Sequence, residues 1–116
     1  MSAQLKVERE ETPFVSQSMA TDLVSDAYNV KFCEGYCVHF VWSAGATPIG
    51  SVKIQVSIDK VNWEDLEDSP QEVTGNTGSQ MIDVVEHNYS WVRFAYTRTS
   101  GSGTLNTKAN FRTRAY

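Results

Sequence analysis

No apolar run in the chain approaches the roughly 20 residues that a membrane-spanning helix requires, so no membrane partner is expected. The N-terminal Met1–Glu8 stretch has no apolar core of the kind a secretory signal needs, which makes synthesis in the cytoplasm the expectation. Cysteine and histidine are scarce, at two residues each. Cys33 and Cys37 are close enough in sequence to bridge across a short loop, but cytoplasmic synthesis favours two reduced thiols. A structural metal site needs four suitable ligands. Only His39 and His87 could join the two sulfurs, and His39 lies on the same strand as Cys37, so neither metal nor cofactor is expected.

The groups needed for catalysis are equally thin. A nucleophile or general base works only beside an orienting partner. There is no G-x-S-x-G elbow, and Ser100-Gly101-Ser102-Gly103 lacks the lysine and following helix of a phosphate loop. That run has the composition of a hairpin turn. The acidic residues Asp59, Glu64, Asp65, Glu67 and Asp68 lack the spacing of a calcium loop and look like a solvated acidic segment. The chain is expected not to be an enzyme.

What is present is a period of two. Val52, Ile54, Val56 and Ile58 alternate with Ser51, Lys53, Gln55 and Ser57, the pattern of a half-buried strand. Tyr36, Val38, Phe40 and Trp42 repeat it, and Cys37, His39 and Val41 make the opposite face apolar enough to suggest cover on both sides. The intervening Ser43–Gly50 has loop composition, so the two segments read as a hairpin. Ser90–Arg98 and Thr104–Arg112 flank the Gly101 run and read as a second. Weaker strands fall at Leu5–Arg9, Tyr28–Phe32 and Gln80–Val85. Asp59–Trp63 reads as a tight turn that returns Trp63, like Trp42, to the core, leaving Trp91 on an outer face. No stretch has helical periodicity. Seven or eight short strands at turn spacing indicate an all-β fold, an antiparallel β-sandwich of jelly-roll-like type. Residues 1–20 form an N-terminal arm or edge segment and residues 21–116 the β-sandwich domain.

The net charge of −4 hides a split. Residues 1–86 hold all fourteen carboxylates against five basic residues, a net of −9, while residues 87–116 hold five basic residues and no carboxylate. Cross-strand pairing of opposite charges explains such a split simply. A sharper reading gathers Arg93, Arg98, Arg112 and Arg114 with Trp91 into a surface that contacts a partner. An acidic domain lacks the basic footprint of a nucleic-acid binder, so none is expected as partner.

Two segments carry a resemblance. Gly50–Trp63 follows a G-x-hydrophobic-x-hydrophobic-Q-x-S-x-D-g-x-x-W pattern, and Tyr89–Leu105 follows Y-x-a-v-R-l-x-Y-x-x-t-S-G-x-G-t-L. Together they resemble small β-sandwich virion structural proteins of tailed bacteriophages, over roughly residues 21–111, departing at Lys60, where glycine is expected, and at Arg112–Tyr116. The resemblance implies a virion location after synthesis in the host cytoplasm. It implies a homo-oligomeric capsid decoration or cement protein, or a tail-associated subunit, bound non-covalently to the major capsid protein or another virion protein. The S-x-D-x-x-x-W stretch is also similar to discoidin-type carbohydrate modules, which keeps a glycan- or receptor-binding adhesion module of the tail or fibre as the alternative.

Overall fold

The computed structural model describes residues 5–115, with side chains over 9–112. The first four residues of the expected N-terminal arm and Tyr116 lie outside the described residues. Eight strands form among them: β1 (Leu5–Ser18), β2 (Leu23–Val24), β3 (Tyr28–Asn29), β4 (Cys33–Ser57), β5 (Glu64–Asp65), β6 (Gln71–Val73), β7 (Gly78–Val84) and β8 (Trp91–Ala115). All pairs are antiparallel and the described residues contain no helix.

The two 25-residue strands β4 and β8 organise everything. A straight strand of that length would span about 80 Å, yet the molecule measures 53 Å along its longest axis. Both strands therefore bend. They remain paired with each other throughout, from Cys33 opposite Thr113 to Ser57 opposite Trp91. The result is one hydrogen-bonded sheet folded over into two layers. The first layer is β1, the C-terminal half of β8, the N-terminal half of β4, and β7. The second contains β2 and β3, the other halves of β8 and β4, and the short β5 and β6.

The alternation read from the sequence sets which side chains meet between the layers. Val38, Phe40 and Phe111 of the first layer and Val52, Ile54 and Phe94 of the second are fully buried. Phe94 is the meeting point, with ring centroids 6.2 Å from Phe40 and 6.5 Å from Phe111. Tyr28 closes the side of this cluster, at 6.0 Å from Phe94 and 5.7 Å from Phe111. Aromatic pairs in tilted or edge geometry add to the burial term.

Both expected hairpins are corrected. Ser43–Gly50 does not reverse the chain; it is the bend within β4, with register shifts between Ser43, Ala46, Ile49 and Gly50. Gly101 likewise sits in the bend of β8. The physical reason is that bulges and hairpin turns call on the same conformations, with φ above zero. Ala44 (φ 51°) and Thr47 (φ 52°) on one strand face Gly101 (φ 75°) on the other. A Cβ on Gly101 would lie 2.0 Å from the Thr47 carbonyl oxygen, so only glycine fits. The expectation that Tyr36–Trp42 is covered on both faces is also corrected. Among the described residues no further layer covers its outer face, where Cys37 and His39 are half-buried and Val41 is exposed. Cys33 packs against the core while Cys37, in phase with His39, points outward, and the two thiols are not bridged.

Candidate binding surfaces

The turn after β4 is built by one carboxylate. Asp59 accepts hydrogen bonds from the Val61 and Asn62 backbone N–H groups, from the Asn62 amide and from the Ser57 hydroxyl, at 2.8–3.0 Å. These donors hold its carboxyl well below the usual carboxylate range, the Asn62 N–H first among them. The turn puts Lys60 at φ 66°, a left-handed conformation that favours glycine, which accounts for the glycine expected there.

That turn also corrects the placement of Trp63. It returns on the outer face of the second layer, half-buried beneath the Arg93 guanidinium, whose central carbon sits 4.3 Å from a Trp63 ring centroid. Lys60 lies 4.5 Å over Trp91 in the same manner. Gln55 locks the arrangement, accepting from Arg93 Nε at 2.8 Å and donating to Asp65 at 3.0 Å. Lys53 completes it with an ion pair to Asp65 at 3.1 Å. Hydrogen bonds from Gln55 and Lys53 lower the Asp65 pKa. Two tryptophans, three cations, a carboxylate and an amide thus share one sheet face, each tryptophan ring carrying a cation.

Of the residues read as a contact surface, Trp91 and Arg93 are therefore together, two positions apart on β8. Arg98 is elsewhere, at the bend, where its Nε donates to the Gly101 carbonyl at 2.8 Å and its backbone N–H donates to Asp22 at 2.7 Å. Arg112 is exposed on the outer face of the first layer, its backbone in register with Glu8 of β1. The Arg114 backbone pairs opposite Lys6, and its side chain lies outside the described residues. Trp63, Gln55 and Lys60 were missed as members of this face, although the Q-x-S-x-D-x-x-x-W spacing contains all of them.

The end of the sandwich opposite the bend holds a second feature. Phe32, Ile58, Val61 and Val85, at 77–81% exposure, are the tips of the segments gathered there. Ile58 also lines a groove of about 490 Å³ together with Val56, Tyr89, Asn62 and Asn88. Tyr89 is fixed by a 2.6 Å hydroxyl–hydroxyl bond to Tyr36 and by the His87 ring stacked on it at 4.7 Å. Burial, reinforced by that bond, pushes the Tyr36 phenol far above its ordinary value. His87 Nδ1 lies 3.1 Å from the Tyr89 carbonyl, so it must donate, and Nε2 is buried with no hydrogen-bond partner among the described residues. His39 is remote from it, on the outer face between Lys108 and Met81. A cleft of about 270 Å³ on the first layer includes Cys37, whose thiol is raised by burial and then by Asp83, the opposite of an activated nucleophile. No cluster of three or more metal-ligating side chains occurs among the described residues.

Fold and surface together define a two-layer antiparallel β-sandwich with an aromatic, cation-stacked outer face. No protein-family model matches the chain, and no curated protein matches it. Among solved structures it is similar to the SPBc2 prophage-derived protein YomS, with a TM-score of 0.63 at 11% identity over 97% of this chain and 99% of that one. It is similar also to a chain in the structure of infectious bursal disease virus Gx strain, with a TM-score of 0.60 at 8% identity, covering 94% of this chain and 33% of that one. A CBM4 structure follows at 0.50, with 13% identity over 81% and 61%. At such identities the likeness is one of fold.

Proposed function

We propose that the chain is a structural protein of a phage virion, a decoration or cement subunit that binds the capsid or tail lattice non-covalently and performs no catalysis. The observation that carries this reading is the end-to-end match to a prophage-derived protein, in which nearly all of each chain is covered. The exposed apolar side chains Phe32, Ile58, Val61 and Val85, on segments at the end opposite the bend, support it as candidate contact residues. Mass spectrometry and cryo-electron microscopy of purified virions test it. The chain should be present in many copies at symmetry-related positions and be released by denaturant without cleavage; its absence from the particle would refute the proposal.

One specific observation favours a second reading, a glycan- or receptor-binding adhesion module: Trp63 and Trp91 share an outer face with Gln55, Asp65 and Arg93. Glycan-array binding that is lost in both Trp63→Ala and Trp91→Ala would select it over the first.

A further inference from the structure

A folded-over sheet leaves four edges, and unpaired edges are normally blunted by shortness, charge, proline or bulges. Three of the four are. β2 and β3 are two residues each. On the other side of that layer, β5 and β6 have two and three residues, and Pro70 immediately precedes β6. β1 is long, but it carries Arg9, Glu10 and Glu11, contains Pro13, and has two register shifts against β8. β7 is the least protected of the four, with the single charge of Asp83. Its seven residues, Gly-Ser-Gln-Met-Ile-Asp-Val, include no proline and no lysine, and they pair with β4 in unbroken register from Val84 opposite Tyr36 to Gly78 opposite Trp42. Among the described residues no other strand pairs with β7. Its outward side chains are Ser79, Met81 and Asp83, and Met81 is 61% exposed.

We infer that the β7 edge is a homodimer interface, at which β7 of a second copy pairs antiparallel about a twofold axis through Met81. Such an interface is isologous, so the strand must be complementary to itself. Pleating keeps directly opposite residues on the same face, so the axis must pass through a residue rather than between two. Centring on Met81 is the choice that overlaps all seven residues. It sets Met81 against Met81 of the second copy, and Ser79 against Asp83 on each side. No like charges face each other, and each Asp83 gains a hydroxyl donor. On β4, His39 lies beside Met81 and the exposed Val41 beside Ser79, so no carboxylate of β4 flanks the centre of the interface. The two first layers become one continuous sheet in the order β1-β8-β4-β7-β7-β4-β8-β1. This inference does not depend on the virion reading.

Sedimentation velocity on the purified chain, over a series from micromolar to near-millimolar concentration, tests it. The wild type should show a monomer–dimer equilibrium; a monomer throughout overturns the proposal. Ser79→Asp should weaken dimerisation about tenfold, because it places two carboxylates opposite one another at both ends of the interface. Ser79→Lys should strengthen it by a comparable factor, and adding Asp83→Lys to Ser79→Asp should restore the wild-type constant. Met81→Lys, which sets two ammonium groups face to face, should also dissociate the dimer while circular dichroism remains unchanged. A dimer indifferent to the Ser79 substitutions overturns the register and with it the interface.

Discussion

At the scale of single residues, the Asp59 turn lets opposing effects be compared by size. Lys60 is held in a left-handed conformation that costs a non-glycine residue about 1–2 kcal/mol. Lys60→Gly would remove that cost but lose the contact over Trp91, worth about 0.5–1 kcal/mol at an exposed site, and add about 0.5–1 kcal/mol of backbone entropy. The terms nearly cancel. Chemical denaturation should therefore place Lys60→Gly within about 0.5 kcal/mol of wild type, which shows why a lysine is tolerated where the pattern expects glycine. Asp59 behaves differently because its folded-state pKa is depressed by its donors. A depressed carboxyl contributes stability that is fully present above the unfolded pKa, about 3.9, and is lost as pH falls from there toward the folded value. Asp59→Asn keeps an acceptor but loses the charge. Its melting temperature should lie below wild type at pH 7, and the gap should narrow on acidification below about pH 4. A gap that stays constant down to pH 2 would show that the charge contributes nothing.

At the scale of elements, the strands were legible and their connections were not. Alternation places Val52, Ile54, Phe40 and Phe94 inward without any knowledge of the partner strand, because a period of two is a local property. Whether Ser43–Gly50 reverses the chain or bends it depends on which strand lies alongside, and that is non-local. Glycine, proline and threonine serve both purposes. The same limit hid the outer face: Trp63 looked like core because its phase was counted through a turn that resets it. Trp91 on an outer face was legible because it sits within an uninterrupted strand, out of phase with Val92 and Phe94. The bend itself is testable at Gly101. Gly101→Ala must push the Thr47 carbonyl aside and hold alanine at positive φ. Overpacking and the left-handed conformation together should cost about 3 kcal/mol in urea denaturation, against less than about 0.5 kcal/mol for Ser102→Ala next to it. Equal effects at the two positions would mean that the bend adapts freely and needs no glycine.

At the scale of the whole molecule, the two layers are not independent bodies that happen to pack. Each contains half of β4 and half of β8, and those strands stay paired across the bend. Opening one layer strips half the partners from both long strands and exposes Phe94, which contacts Phe40 and Phe111 across the interface. Neither layer has a core of its own, so half-unfolded states gain little entropy for a large loss of burial. Unfolding should therefore be a single cooperative transition with equal calorimetric and van't Hoff enthalpies. The tryptophans provide the check, because Trp42 is buried in the first layer whereas Trp63 and Trp91 lie on the outer face of the second. Trp42→Phe leaves fluorescence that reports the second layer alone, and the double variant Trp63→Phe, Trp91→Phe leaves Trp42 to report the first. Each variant's fluorescence midpoint should coincide with its own far-ultraviolet circular dichroism midpoint. Because pairing partners such as Ser57 and Trp91 or Cys33 and Thr113 are distant in sequence, refolding should take milliseconds to seconds rather than microseconds. Separated transitions for the two probes would mean that β4 and β8 can come apart at the bend, and the two layers would then be separate folding units.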